Sequence, residues 1–302
     1  MDKDVGREGV ARLMAESFYN IGGRVISVDW PEAYPTVEPF AGLRPFRIEP
    51  ASPDYRILYG RELAQVDGAV VYNQFRYAEI DSLCTFGAKD NLFVFTMRES
   101  FTGTVLLNMH YRQGEKVVYS TSCTNLSALR FSLWFALGML SAHDKMSFVH
   151  SSAIVYNGRA VLFLGESGTG KSTHASLWLD NVSGSHILND DSPVLSTASG
   201  MPIVYGSPWS GKRPFHIQRH FPLAAVVRLS QAPHNSMRRL SVPAALAALQ
   251  PSLPPALMQH EAFADKLIDI ISDTISAVPV YRLECLPNAD AALLCFHTVF
   301  NE

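Results

Sequence analysis

The sequence predicts a mixed α/β (α+β) protein in two parts: a mostly β front part, residues 1–124, and a P-loop domain with a mixed sheet, residues 125–302. Three observations predict it. The pattern G-x-x-x-x-G-K-S stands at Gly165–Ser172, between an apolar run and a segment with helical spacing. Short runs of β-branched and aromatic residues crowd the chain before about Ser122. Helical patterns gather late, so many strands surround one loop-following helix, which argues against a regular strand–helix alternation.

Composition bounds the rest. Of 302 residues, 47% are hydrophobic and 18% charged, which is ample core material for two domains or one large one. A net charge of −3 supplies no general attraction to nucleic acid or anionic membranes. Cys84, Cys123, Cys285 and Cys295 are scattered without a C-x-x-C pair and read as small buried residues in a reducing compartment. The start MDKDVGREGV has no apolar signal core, and Leu126–Leu140 is interrupted by Arg130 and too short to span a bilayer. A cytoplasmic location is the expectation.

Taken in order, Val10, Leu13, Met14 and Phe18 recur at helical spacing and predict a helix over Val5–Tyr19, ended by Gly22 and Gly23. Strands are expected at RVISV, FRI, YRILY, AVVY, FRYAEI, LFVFTM, TVLLNMHY and KVVYS, forming a mostly antiparallel domain. Asn125 is placed to cap a helix to about His143, with Leu126, Leu129, Leu133 and Leu137 on one face. Two strand-like runs then flank Asn157-Gly158, a dipeptide that suits a I′ hairpin turn. The second run, Val161–Leu164, leads into the glycine loop. Further strands are expected at Ser185–Leu188, Pro193–Ser196, Pro202–Tyr205, Leu223–Leu229 and Val280–Glu284. Helices are expected at Val242–Leu249, at Pro255–Ala277 and from about Asn288 onward, while Met237, Arg238 and Arg239 read as a loop or surface run without a role.

The chemistry centres on Gly165, Glu166, Ser167, Gly168, Thr169, Gly170, Lys171, Ser172 and Thr173. Glycines let backbone N–H groups turn inward around a phosphate, which also sits at the positive end of the following helix. Lys171 adds a point charge for the outer phosphates, and the Ser172 hydroxyl suits Mg²⁺. Asp190 and Asp191 follow an apolar strand where a P-loop protein needs a metal-holding carboxylate. Two adjacent acids allow one to hold Mg²⁺ and the other to accept a proton; a solvated strand-end turn is the alternative. His150 lies in the strand paired, through the Asn157-Gly158 turn, with the strand that delivers the loop. It is a candidate for positioning or proton handling beside the ordinary reading of a satisfied core histidine. In GSPWSGKRPF, Lys212 and Arg213 end a glycine-containing segment that suits a phosphate-sensing lid, or else a solvated basic face. Trp209 suits stacking on a base or plain packing.

These residues resemble the HPr kinase/phosphorylase family. FVHSSAIVYNGRAVLFLGESGTGKST, LNDDSPVL and GSPWSGK carry the resemblance, which covers about residues 145–300. It implies the fold shared with the nucleotide domain of ATP-dependent phosphoenolpyruvate carboxykinase. It also implies that His150 works near the γ-phosphate, that Asp190 is the general base, and that Asp191 faces the metal with Ser172. ATP and Mg²⁺ are the implied cofactors, and a homo-oligomer is implied as well. Thr173 stands where the bacterial HPr enzymes have Glu, and no segment like EIRGLGIINV follows. The front half looks like neither family. The chain therefore looks more like the stand-alone HPr-kinase-like proteins, some of which phosphorylate a serine of a precursor peptide. The leading expectation is an ATP-dependent kinase acting on a Ser or Thr hydroxyl of a peptide or protein, presented by the front half. A nucleotide-dependent switch and a carboxykinase-like small-molecule enzyme are the alternatives.

Overall fold

The computed structural model describes residues 16–31, 39–211 and 213–300. It is a mixed α/β structure with two large sheets and five α-helices among the described residues.

The first sheet holds β1 (Glu16–Ile21), β2 (Arg24–Asp29), β3 (Arg47–Ile48), β4 (Tyr55–Leu58), β5 (Val70–Tyr77), β6 (Ser82–Lys89), β7 (Leu92–Glu99), β8 (Val105–Arg112) and β9 (Val117–Ser120). Their spatial order is β3-β1-β2-β4-β9-β8-β7-β6-β5, with β4 parallel to both neighbours and every other pair antiparallel. Strand β5 therefore forms one edge.

Three expectations for this half change. Residues 16–19 of the helix expected over Val5–Tyr19 are strand, and residues 1–15 lie outside the described residues. Ser17, Tyr19 and Ile21 alternate inward, so period two wins there, and Gly22 and Gly23, both at positive φ, turn β1 into β2. The AVVY and FRYAEI runs fall largely within one strand, β5, whose register shifts between Val71 and Asn73. Strand β6 was not expected, because SLCTFGAK contains a glycine and few β-branched residues. That glycine, Gly87, has a structural reason: a Cβ there would lie 2.5 Å from the Val70 carbonyl oxygen.

The second sheet holds β10 (Met146–Phe148), β11 (Ser151–Tyr156), β12 (Arg159–Leu164), β13 (His186–Asn189), β14 (Val194–Ser196), β15 (Ile203–Tyr205), β16 (His220–Gln231), β17 (Ser236–Arg239) and β18 (Val280–Cys285). Parallel pairs β12–β16 and β16–β18 sit among antiparallel ones. Asn157 and Gly158, at φ 47° and 70°, make the hairpin between β11 and β12. Met237–Arg239, read from sequence as a loop, is strand β17, antiparallel to β18.

Helix α1 (Leu126–Ala142) starts where the Asn125 side chain accepts the Ala128 N–H at 3.0 Å. It buries Leu129, Leu133 and Leu137, whereas Leu126 stays exposed. Helices α2 (Lys171–Asn181), α3 (Val242–Leu249), α4 (Glu261–Ala277) and α5 (Ala289–Phe300) follow. Helix α4 begins six residues later than Pro255, because His260 is extended and its Nδ1 accepts the Ala262 N–H as the cap.

One contiguous core joins the halves. Phe135 of α1 meets Phe86 and Phe95 of the first sheet, and Phe263 of α4 meets Phe86, Phe93 and Tyr111. A second core lies under α2 and α5, on the opposite face of β12, β16 and β18. No helix among the described residues is long and apolar enough to cross a membrane.

Candidate functional site

The site is strung along one end of the second sheet, where β12 and β13 finish and β11 begins. Strand β12, buried from Ala160 to Leu164, ends at Gly165, and the loop to Gly170 delivers the first turn of α2. Gly168 and Gly170 take φ of 82° and 104°, a region closed to most L-residues, which is why glycine stands there. The loop is braced internally by Thr169, whose hydroxyl donates to the Glu166 carbonyl at 2.8 Å. Gln231 of β16 donates its side-chain amide to the Gly168 carbonyl at 3.3 Å.

Lys171 folds back over this loop. Its Nζ donates to the Gly165 carbonyl at 2.8 Å and lies 3.0 Å from His150 Nε2. An ammonium is a donor only, so Nε2 accepts and the ring proton sits on Nδ1. Nδ1 in turn lies 3.5 Å from Asp191 Oδ1. Lys171, His150 and Asp191 thus form one line beside the loop. His150 occupies the bend just before β11 rather than the strand itself, as the sequence reading had it; its N–H donates to the Ser252 carbonyl at 2.7 Å.

The two acids face different surroundings. Asp190 is buried, with Oδ1 accepting from Ser152 Oγ at 2.8 Å, while Oδ2 has no hydrogen-bond partner among the described residues. Asp191 is half-buried and its Oδ2 accepts from Ser192 Oγ at 2.9 Å. Burial pushes the Asp191 carboxyl up, but the hydrogen bonds from His150 and Ser192, with the Arg130 charge, outweigh it and hold the group below its usual range. For Lys171 burial is the largest influence and lowers the ammonium, with Asp191 and Asp190 drawing it back up and Arg228 adding to the depression.

Asn189 organises the turn that carries both acids. Its Oδ1 accepts the N–H groups of Asp191 and Ser192 at 3.0 and 2.9 Å, and its Nδ2 donates to the carbonyls of Ser207 and Trp209. The loop after β15 is thereby tied to the acidic pair. Gly211 lies so close that a Cβ would stand 3.1 Å from the Asp190 carbonyl oxygen. Arg213 reaches the first turns of α2, donating to Ser176 Oγ and approaching the Ser172 carbonyl at 3.5 Å. Lys212 lies outside the described residues. Trp209 packs: it is buried between Phe40 and Phe148, and its indole N–H donates to the Arg130 carbonyl.

No protein-family model matches the chain, and no curated protein matches it either. Among solved structures it is similar to the Hpr(Ser) kinase/phosphatase from Coxiella burnetii, at 15% identity and a TM-score of 0.30, over 51% of this chain and 94% of that one.

Two clefts open around the loop and a third beside Asp191. On the α2 face, one of about 560 Å³ is lined by Thr173, Leu177, Leu229, Leu286 and Pro287 along with the loop glycines. On the opposite face, one of about 690 Å³ is lined by Glu166–Thr169, three arginines and alanines of α3. The third, about 250 Å³, lies between the halves, where Tyr77 and Glu79 of the front half meet Arg130, Trp134, Asp191 and Trp209. There Glu79 accepts from Tyr77 and Ser127 and stands 3.8 Å from Arg130 Nη1.

No group of three or more His, Cys, Asp or Glu side chains among the described residues is placed to hold a metal. Mg²⁺ dehydrates reluctantly and is usually held by one or two protein oxygens plus phosphates. The Ser172 hydroxyl at the exposed start of α2 and the Asp191 carboxylate are donors of the right kind.

Sequence reasoning gave no role to Ser152, Asn189, Arg228, Gln231 and Glu79, which the structure places against the loop, the acids or the cleft between the halves. Only Asn189 carried a readable signal, as an Asn opening a turn directly before two acids. The others act across strands or between halves.

Proposed function

We propose that this protein is an ATP-dependent kinase that transfers the γ-phosphoryl group to a Ser or Thr hydroxyl of a peptide or protein. The line Lys171–His150–Asp191 beside a glycine loop, with Asp190 next to it, carries the reading. The loop N–H groups and the α2 N-terminus bind the phosphates. Lys171 exchanges its loop carbonyls for phosphate oxygens, and His150 positions it. The apolar cleft on the α2 face takes the base and ribose. Mg²⁺, entering with the nucleotide at Ser172 and Asp191, would neutralise charge on the phosphates. Asp190 accepts the acceptor's hydroxyl proton through its free Oδ2, the hydroxyl oxygen bonds to the γ-phosphorus, and the bond to the β-phosphate oxygen breaks to release ADP.

The front half presents the acceptor. Edge strand β5 has an unpaired side with Val70, Val71 and Tyr72 exposed, and it ends at Tyr77 in the wall of the cleft that Asp191 also lines. A peptide added to β5 as a further strand is thereby led toward the acids. Incubation with labelled ATP, Mg²⁺ and a lysate of the host, followed by mass identification of the labelled species, tests the reading. A phosphoserine or phosphothreonine product that disappears with Asp190→Asn supports it; release of phosphate with no labelled acceptor favours a nucleotide switch.

A further inference from the structure

Three arginines stand side by side across three strands of the second sheet. Arg228 of β16 pairs in register with Arg282 of β18, and Arg282 pairs with Arg238 of β17. Directly paired residues share a face, so all three guanidinium groups leave the sheet on one side. That side is the one of Val226 and Val280, covered by α3 and α4, and opposite to α2. All three line the same cleft of about 690 Å³, floored by Ala244, Ala247 and Ala248, whose small side chains leave it open.

Like charges in direct cross-strand register repel, and the protein relieves them only in part: Arg228 Nη1 donates to the Ala248 carbonyl at 3.3 Å and Arg282 Nη2 to Ser230 Oγ at 3.0 Å. Glu166 is the acid in the cleft wall; it stands 3.6 Å from Arg228 with its carboxylate 84% exposed. Arg282 Nε is buried without a hydrogen-bond partner, its nearest carboxylate being Glu284 at 3.5 Å. Arg238 has no ion pair among the described residues. Three guanidinium groups against one exposed acid leave the cleft net positive, a field that an anion bridging the row would meet.

We propose that this ladder is a second anion site, which binds a ligand carrying several phosphate charges on the sheet face away from α2. The inference rests on the proposed nucleotide reading only in treating the nucleotide as accounted for elsewhere. Its phosphates have Lys171 and the α2 N-terminus, and its base has the apolar cleft on the α2 face. The arginine cleft is left over, yet it touches the same loop at Glu166–Thr169, so its occupant would sit against the outer side of the phosphate loop. Planar guanidinium forks suit phosphate oxygens better than single ammonium charges do.

The test is binding of inorganic tripolyphosphate to the full chain at low salt, read by calorimetry and by thermal shift. With the glycine loop filled by saturating ATP and Mg²⁺, tripolyphosphate is expected still to bind, and it is expected to keep a site in Lys171→Ala as well. Arg282→Gln should weaken binding about tenfold or more, the size expected for a charged hydrogen bond, and should raise the ligand-free melting temperature at low salt. Arg238→Gln, at the exposed rim, gives the same test should Arg282→Gln not fold. Complete loss of tripolyphosphate binding in Lys171→Ala, complete displacement by saturating ATP, or unchanged affinity in both arginine variants under saturating ATP would overturn the second site. Failure of the nucleotide reading shows separately, as ATP stabilisation that Lys171→Ala does not change.

Discussion

Lys171 Nζ and His150 Nε2 lie 3.0 Å apart, joining the first residue of α2 to the bend before β11. The contact holds an ammonium group over the Gly165 and Glu166 carbonyls, where it stands ready to swing toward an incoming anion. Its partner carboxylate, Asp191, lies on the other side of the same imidazole.

Lys171→Ala should remove most of the thermal stabilisation that ATP gives while leaving the ligand-free melting temperature within a degree or two. The lysine is half-buried and contributes to binding, not to the core. A shift identical to wild type would exclude this loop as the phosphate site.

The two acids should separate. Asp191→Asn is expected to weaken Mg²⁺-dependent ATP binding, since a negatively charged oxygen donor is lost. Asp190→Asn should leave binding close to wild type and lower transfer by about 10²- to 10⁴-fold, the usual worth of a general base. The reverse pattern in calorimetry and turnover would exchange the roles.

His174 supplies a pH dependence. It is buried under Phe163, with Nε2 accepting from the Trp178 indole, and burial lowers its pKa from 6.5 to about 4. The unfolded chain therefore binds a proton that the folded one refuses between those values, so this contribution is intact above about pH 6.5 and is lost as pH falls toward 4. The loss amounts to about 3 kcal/mol at most. His174→Gln, which keeps an acceptor for Trp178 without titrating, should flatten the stability profile in that window. Denaturant midpoints across the pH range read it; equal slopes for the two proteins would refute it.

The cleft between the halves should govern the acceptor alone. Glu79→Gln loses the ionic contact to Arg130 and weakens the wall facing Asp191. Labelling of the acceptor should fall several-fold at limiting lysate while the ATP-induced thermal shift stays unchanged. Equal loss of both would make Glu79 a structural residue. Deleting the front half is a poorer test, because Phe135 and Phe263 would lose the ring contacts that Phe86, Phe93 and Phe95 provide.

The sequence by itself determined what is local. Strand, glycine loop and helix at Val161–Asn181 are read from adjacent residues, because the αL glycines, the apolar run and the helix start act within a few positions. The same holds for the Asn125 cap and the Asn157-Gly158 turn. Where local preference was weak, tertiary pairing decided: β6 exists because β5 and β7 flank it, and β17 because β18 offers it a partner. The hairpin pointed His150 toward the loop, but only the tertiary structure set Ser152 beneath Asp190 and turned Tyr77 and Glu79 toward Asp191. Likewise Arg228, Arg238 and Arg282 look unrelated along the chain, being up to 54 residues apart, and become neighbours only through strand register. Register is set by which faces the whole sheet buries, a property that no short window of sequence contains.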